Sequence, residues 1–300
     1  MHLCIAHERG RDLMGELPPG VEVSVVEGPR TSLKDVEFWV PPFLAPPAAD
    51  VLEDADDLRV VQLLSAGVDS WLGKLPPHAT LCDARGVHTT STSEWAVAAI
   101  LSFLRDFPRF ARAQARGEWQ RGAPTDELAG KRVLIVGAGD IGEAVAARLT
   151  PFQVSIQLVA RSPRDGVRGV AELPKLLPES DIVVLVVPLT SETTGFVDAA
   201  FLAAMPNGSL LVNAARGPVV DSRALTQELV SGRLNAALDV TDPEPLPADS
   251  PLWGLPNLLL TPHVGGSVRG LLRRCYGLVG DQVRRYAAGE PLINVVHGEY

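Results

Sequence analysis

From residue 137 to residue 142 the chain reads Gly-Ala-Gly-Asp-Ile-Gly, a GxGxxG spacing. Glycines at these intervals allow what bulkier residues forbid. Gly137 permits a tight turn out of a strand, Gly139 lets a backbone approach a pyrophosphate, and Gly142 lets the next helix pack closely on that strand. The helix start also aims unpaired N–H groups and a positive dipole end at phosphate oxygens. Alone the pattern is weak. Here it follows an apolar run, residues 133–136, and opens a segment whose apolar residues Ile141, Ala144, Val145 and Leu149 recur at helical spacing. Strand, turn and helix in that order point to dinucleotide binding. In NAD-binding folds an acidic residue about twenty positions further on accepts from the ribose hydroxyls. That distance reaches Arg161, in the run Ala160-Arg161-Ser162-Pro163-Arg164, with no acid before Asp165. Two guanidiniums and a hydroxyl suit a 2′-phosphate, which a carboxylate would repel. NADP(H) is therefore expected; NAD(H), with Arg161 stacked on the adenine, stays open.

The elements that must hold these residues alternate. In the first ninety residues, Pro18-Pro19, Pro41-Pro42, Pro46-Pro47 and Pro76-Pro77 separate short β-rich runs at 3–6, 21–26, 36–40, 60–64 and 80–82. Helix-like stretches lie between several of them, the rhythm of a parallel sheet. Residues 93–110 are apolar, Ala-rich and unbroken until Pro108, which predicts one long helix capped by Ser93. A polar segment, 113–129, carries Gly117, Gly122 and Pro124. Further strands are expected at 133–136, 154–159, 182–187, 209–213, 236–240 and 258–261, with helices between, for example 222–231. The 182–187 run is apolar on both alternating faces, as a strand buried between helix layers must be. A helix over 268–288 and a tail over 291–300 close the chain. The tail's Ile293, Val295 and Val296 need a surface to pack on, so the tail is expected to return to the first unit. The fold class is α/β with two doubly wound parallel-sheet domains, 1–93 with 271–300 and 94–270.

Composition narrows the partners. Three hundred residues, 46% hydrophobic and 21% charged, can bury a large core and argue against wholesale disorder. A net charge of −9 disfavours nucleic acid or an anionic membrane as partner. No stretch is long and apolar enough for a membrane span, and the first residues lack an apolar signal-peptide core, so a cytoplasmic location is expected. Cys4, Cys82 and Cys275 form no CxxC and are read as buried free thiols. No histidine spacing suggests a metal site.

Three later motifs carry a resemblance. They are Asn213-Ala214-Ala215-Arg216-Gly217, then Asp239-Val240-Thr241-Asp242-Pro243-Glu244-Pro245-Leu246, then Thr261-Pro262-His263-Val264-Gly265-Gly266. With the GxGxxG they resemble the D-isomer-specific 2-hydroxyacid dehydrogenase family through essentially the whole second unit. The resemblance implies a flavodoxin-like substrate domain, a Rossmann cofactor domain, and usually a homodimer. It also implies catalytic roles: Arg216 grips the substrate carboxylate and carbonyl oxygen, His263 is the acid/base and Glu244 its partner. The residue types suit that chemistry. A guanidinium binds a carboxylate through two parallel hydrogen bonds. Hydride delivery to a carbonyl builds alkoxide character, which a protonated imidazole stabilises and protonates. A carboxylate beside the imidazole favours its charged form and orients the ring. By the same resemblance Asp140 and Ile141 lie over the pyrophosphate, and Pro188 and Thr194 lie along the adenosine. Ala214, Ala215 and Arg216 approach the nicotinamide, His263 and Gly265 are further cofactor contacts, and Asp239 takes the nicotinamide carboxamide or, on a plainer reading, caps a strand end.

On the substrate side, Leu64-Ser65-Ala66-Gly67-Val68-Asp69 resembles the family loop whose backbone N–H groups hold the substrate carboxylate. Ser65, Ala66 and Gly67 are its expected contacts, with Arg216 and His263; a plain turn is the alternative. The stretch 66–76 looks most like glyoxylate/hydroxypyruvate reductases. Phosphite dehydrogenases carry Lys where Ala66 stands, and formate dehydrogenases carry Gln where Glu244 stands, so both are disfavoured. Residues 37–47 lack a Lys or Arg for a phosphate, and no C-terminal regulatory domain is expected. Trp39 and Phe43 wall a small pocket or belong to the core. Trp119 reaches toward a partner subunit or packs at the surface. The expected activity is NADPH-dependent reduction of a small 2-keto acid such as glyoxylate or hydroxypyruvate. An NAD-dependent dehydrogenase of the D-lactate or D-3-phosphoglycerate type and a dinucleotide-sensing co-repressor are the alternatives.

Overall fold

The short apolar runs between turn-forming residues are strands, and every named strand pair is parallel. The structure, a computed structural model, describes residues 1–28, 32–43, 49–121 and 124–299. Pro46-Pro47, the end of the 37–47 segment, Gly122 and Tyr300 lie outside the described residues. The chain forms two compact units, Met1–His88 with Val268–Tyr300, and Thr89–Ser267.

The first unit opens with β1 (His2–Ile5), α1 (Glu8–Leu13), β2 (Glu22–Val25), β3 (Phe38–Val40), α2 (Ala49–Leu52), β4 (Val60–Gln62) and β5 (Thr80–Cys82). Its sheet order is β2-β1-β3-β4-β5, the flavodoxin-like order. The second unit runs through α3 (Thr89–Leu104), α4 (Phe107–Ala115), β6 (Arg132–Val136), α5 (Asp140–Leu149), β7 (Ser155–Ala160), β8 (Val167–Gly169), α6 (Leu173–Leu176) and β9 (Ile182–Leu185). It ends through α7 (Ala199–Ala204), β10 (Leu210–Asn213), α8 (Ser222–Val230), β11 (Asn235–Leu238) and β12 (Leu258–Leu260). Its order is β12-β11-β10-β9-β6-β7-β8, the Rossmann order with one strand added at an edge. β9 is buried along its whole length, because helices cover both faces of such a sheet.

The chain returns to the first unit through α9 (Leu271–Ala288). Cys275, Tyr276, Val279 and Val283 of this helix join Leu3, Ile5, Phe38 and Val60 in one core. The tail follows as expected. Val295 bridges Cys82, and the Val296 N–H donates to the Leu81 carbonyl at 2.9 Å. Gln282, fully buried, donates to Gln62 Oε1 at 2.9 Å and to the Ile293 carbonyl at 2.7 Å. The tail backbone is thus satisfied inside the unit.

The helix over 93–110 is two helices. Asp106 sits in the left-handed region at φ 57° and Pro108 falls in the first turn of α4. Ser93 is not a cap: its hydroxyl donates to the Thr89 carbonyl at 2.6 Å, inside a helix that began a turn earlier. The chain passes between the two units at His88/Thr89, where α3 begins, and at Ser267/Val268, shortly before α9. β8 was not anticipated. Asp165-Gly166, with Gly166 at φ 71°, is the turn signal that marks it.

Cys4, Cys82 and Cys275 are buried and form no disulfide. Burial pushes the Cys82 thiol up to about 12 and that of Cys275 up to about 11. Trp39 is core, edge-on to Trp71 at 5.5 Å, while Phe43 is half-buried beside His88. Among the described residues no helix is long and apolar enough to cross a membrane, and no His, Cys, Asp or Glu cluster could hold a metal ion.

Candidate active site

A fully parallel sheet puts every carboxyl end on one edge, so the loops after β6, β7, β9, β10, β11 and β12 gather there. After β6, Gly137 turns at φ 113°. A Cβ on it would stand 2.5 Å from the Val186 carbonyl oxygen, and one on Gly142 would stand 1.9 Å from that of Gly137. A Cβ on Gly139 would meet nothing within 4 Å. Two of the three glycines are thus required by packing, and the third faces open space where Asp140 and Ile141 begin α5. A backbone cradle at a helix N-terminus fits a pyrophosphate. Gly142→Ala is expected to lower unfolding stability by at least about 2 kcal/mol, since backbone atoms must move. Gly139→Ala should stay within about 0.5 kcal/mol of wild type and instead weaken dinucleotide binding. Denaturant unfolding and a cofactor titration of both variants separate the two effects.

After β7, Arg161 Nη1 lies 3.4 Å from Glu192 Oε2. Ser162 is exposed. The turn of residues 164–167 aims the Arg164 guanidinium back at the glycine loop, where it donates to the Ala138 carbonyl and lies 2.9 Å from Glu143 Oε1. Glu192 belongs to the loop after β9 that holds Pro188 and Thr194. There the Thr193 hydroxyl donates to the Pro188 carbonyl at 2.6 Å, and that of Thr194 to the Thr190 carbonyl at 2.8 Å. Sequence reasoning missed Glu143 and Glu192. It also passed over the hydroxyl-rich run 190–194, whose composition signals a turn closed by side chains.

After β10, Asn213 is 1% exposed and clamps the loop. Its amide donates to the Arg216 carbonyl at 3.1 Å and accepts from the Ala215 N–H at 3.0 Å. Ala214 and Arg216 are half-buried and Ala215 buried; Arg216 Nη1 donates to the Ala215 carbonyl at 2.8 Å. A Cβ on Gly217 would stand 1.9 Å from the Thr241 carbonyl oxygen. The Arg216 loop therefore lies directly against the loop that carries Glu244.

After β11 and β12 the chain brings Glu244 and His263 together, Nδ1 to Oε1 at 2.7 Å. A carboxylate only accepts, so Nδ1 carries the proton in this contact. Nε2 carries no hydrogen bond among the described residues. His263 holds φ 53°, a backbone that costs an L-residue about 1–2 kcal/mol. Asp239 holds it there. Its carboxylate, 4% exposed, accepts from the Val264 N–H at 2.8 Å, the Gly265 N–H at 2.7 Å and the Thr261 hydroxyl at 2.6 Å. Its backbone carbonyl accepts the His263 N–H at 2.7 Å. Asp239 is first of all the anchor of this loop. Asn213 and Thr261 stood inside motifs quoted above with no part assigned, and Trp95, whose indole N–H donates to the Thr261 hydroxyl at 3.0 Å, was read only as part of the 93–110 helix.

In the first unit, Ser65, Ala66 and Gly67 follow β4, and the Ser65 hydroxyl donates to the Gly67 carbonyl at 2.9 Å. The Leu64 carbonyl accepts from buried His88 Nε2 at 2.8 Å, and the Ser65 carbonyl from the Ala84 N–H at 2.9 Å. His88 thereby fixes this loop's entry.

Sheet order, glycine cradle and the loops around it define a dinucleotide-binding oxidoreductase fold. The profile described as "D-isomer specific 2-hydroxyacid dehydrogenase, NAD binding domain" matches residues 97–265, and the chain belongs to this family. It is 31% identical over 259 residues to a D-3-phosphoglycerate dehydrogenase of Archaeoglobus fulgidus, covering 83% of this chain and 49% of that one. It thus spans about half the length of that relative. A mouse glyoxylate reductase/hydroxypyruvate reductase is 36% identical over 232 residues, 70% of this chain and 68% of that one. The crystal structure of an NADPH-dependent glyoxylate/hydroxypyruvate reductase from Sinorhizobium meliloti, in complex with NADP and sulfate, superposes with a TM-score of 0.84 at 30% identity, covering 98% of each chain.

Proposed function

We propose that this protein is an NADPH-dependent reductase of a small 2-keto acid, glyoxylate or hydroxypyruvate, with Arg216, Glu244 and His263 as its catalytic residues. The observation that carries the reading is the 2.7 Å contact between His263 Nδ1 and Glu244. It orients the ring and leaves Nε2 as the proton-transfer atom. In reduction, imidazolium Nε2–H donates to the substrate oxygen as negative charge develops there; in the reverse direction neutral Nε2 accepts the hydroxyl proton. Arg216 offers a fork to the substrate carboxylate. The bound nicotinamide supplies the hydride. The open Gly139, the α5 N-terminus and Asp140, Ile141, Pro188, Thr194, Ala214, Ala215, Asp239 and Gly265 form its binding edge. Arg161, Ser162 and Arg164 select the 2′-phosphate.

One observation favours the second reading, an NAD(H)-dependent dehydrogenase. Both guanidiniums already face carboxylates, Glu192 and Glu143, and a 2′-phosphate has to compete with them. Steady-state oxidation of NADPH and of NADH with glyoxylate and hydroxypyruvate decides between them. The expected result is turnover favouring NADPH at least tenfold, with that preference lost in the double variant Arg161→Ala/Arg164→Ala. NADH bound tenfold tighter than NADPH overturns the NADPH assignment.

The same reading includes a homodimer in the cytoplasm. Trp119, 89% exposed beside the Arg116–Glu118 ion pair, is a surface that association covers. Three buried thiols without a disulfide suit a reducing compartment.

A further inference from the structure

We propose that Trp95, acting through the Thr261 hydroxyl on the Asp239 carboxylate, is a positioning residue for the His263 loop. The inference rests on the reading of His263 as the acid/base.

The Thr261 hydroxyl has one proton. Asp239, as a carboxylate, only accepts, so that proton points to Oδ1 at 2.6 Å. The indole N–H of Trp95, on α3, donates to the same Thr261 oxygen at 3.0 Å. The donor fixes the hydroxyl rotor, and donor chains of this kind polarise one another in a low-dielectric interior. The next link is Asp239 itself, whose two carboxylate oxygens hold the N–H groups of Val264 and Gly265 just beyond His263. The indole also lies against the loop directly: a Cβ on Gly265 would stand 3.4 Å from Trp95 Cγ and 2.8 Å from Asp239 Oδ2. Trp95 therefore reaches the His263 loop by a hydrogen-bond chain and by packing.

This end of α3 does not need the indole N–H for folding. The helix is anchored by buried Ala96, Ala99 and Ile100, and Trp95→Phe keeps an aromatic ring while removing only the donor. What the donor supports is a residue in the left-handed region, at φ 53°, that carries the imidazole. Proton transfer is sensitive to small displacements of such a group, so the loss falls on turnover rather than on binding.

The test compares Trp95→Phe, Thr261→Val, Thr261→Ser and the double variant Trp95→Phe/Thr261→Val. Two readouts use the protein alone: exchange of the Trp95 indole proton by NMR, and the ring resonances of His263, assigned from the His263→Ala spectrum. The third is keto-acid reduction with NADPH, together with cofactor Kd. Thr261→Val is expected to speed indole exchange about tenfold, and Trp95→Phe to move the His263 ring signals. Trp95→Phe and Thr261→Val each lower kcat about tenfold, with KM and Kd within about twofold of wild type. The double variant falls no further than Thr261→Val, and Thr261→Ser stays near wild type. Additive losses, a loss carried by KM or Kd, or unmoved His263 signals in Trp95→Phe overturn the proposal. If wild-type protein reduces no 2-keto acid, the acid/base reading fails, and the two NMR readouts still decide whether Trp95 positions the loop.

Discussion

Replacing His263 by alanine is expected to lower kcat for 2-keto acid reduction by about two to four orders of magnitude, the range for loss of a general acid. Its only hydrogen-bonding side-chain partner among the described residues is Glu244. The loop around it is held by its own backbone and by Asp239, through Val264, Gly265 and the His263 N–H. The variant should therefore fold and bind cofactor as wild type does. Loss of reduced-nicotinamide absorbance gives the rate, and fluorescence titration gives the cofactor Kd. Glu244→Gln should fall less, because the amide oxygen still accepts from Nδ1 while the charge is lost. A His263→Ala enzyme within fivefold of wild type would place the proton donor elsewhere.

Arg216→Gln is expected to reduce kcat/KM by about two to four orders of magnitude, mostly through KM. A guanidinium that meets a carboxylate makes two charge-assisted hydrogen bonds, each contributing roughly 1.5–3 kcal/mol. Arg216→Lys keeps the charge without the fork and should lie between the two. The loop survives either change, because Asn213 holds residues 215 and 216 by their backbone and Gly217 sits against Thr241. The assay is a substrate titration at saturating cofactor. A fall confined to kcat, with KM unchanged, would mean that the substrate carboxylate is gripped elsewhere.

Much of this molecule is written in short stretches of chain. The apolar runs that become β1 to β7 and β9 to β12 show in composition and punctuation, because strands are local and their ends need glycine, proline or small polar residues. The meaning of Gly137, Gly139 and Gly142 is local too. A turn and a helix start are made by neighbours, and the structure assigns two of these glycines to packing and one to open space. The return of the tail followed from apolar residues that had no other place to be buried. The break at Asp106 was less legible, since propensity favoured one helix and a single left-handed residue divided it. What no local pattern contained are the pairings between distant residues. Trp95 and Thr261 stand 166 residues apart in the chain, and Arg164 finds Glu143 and the Ala138 carbonyl only because β7 lies beside β6. The amino-acid sequence determined which side chains could do chemistry and which elements carry them. Strand order and packing alone decided which of them meet, because a buried carboxylate such as Asp239 takes whatever donors the folded chain brings within about 3 Å.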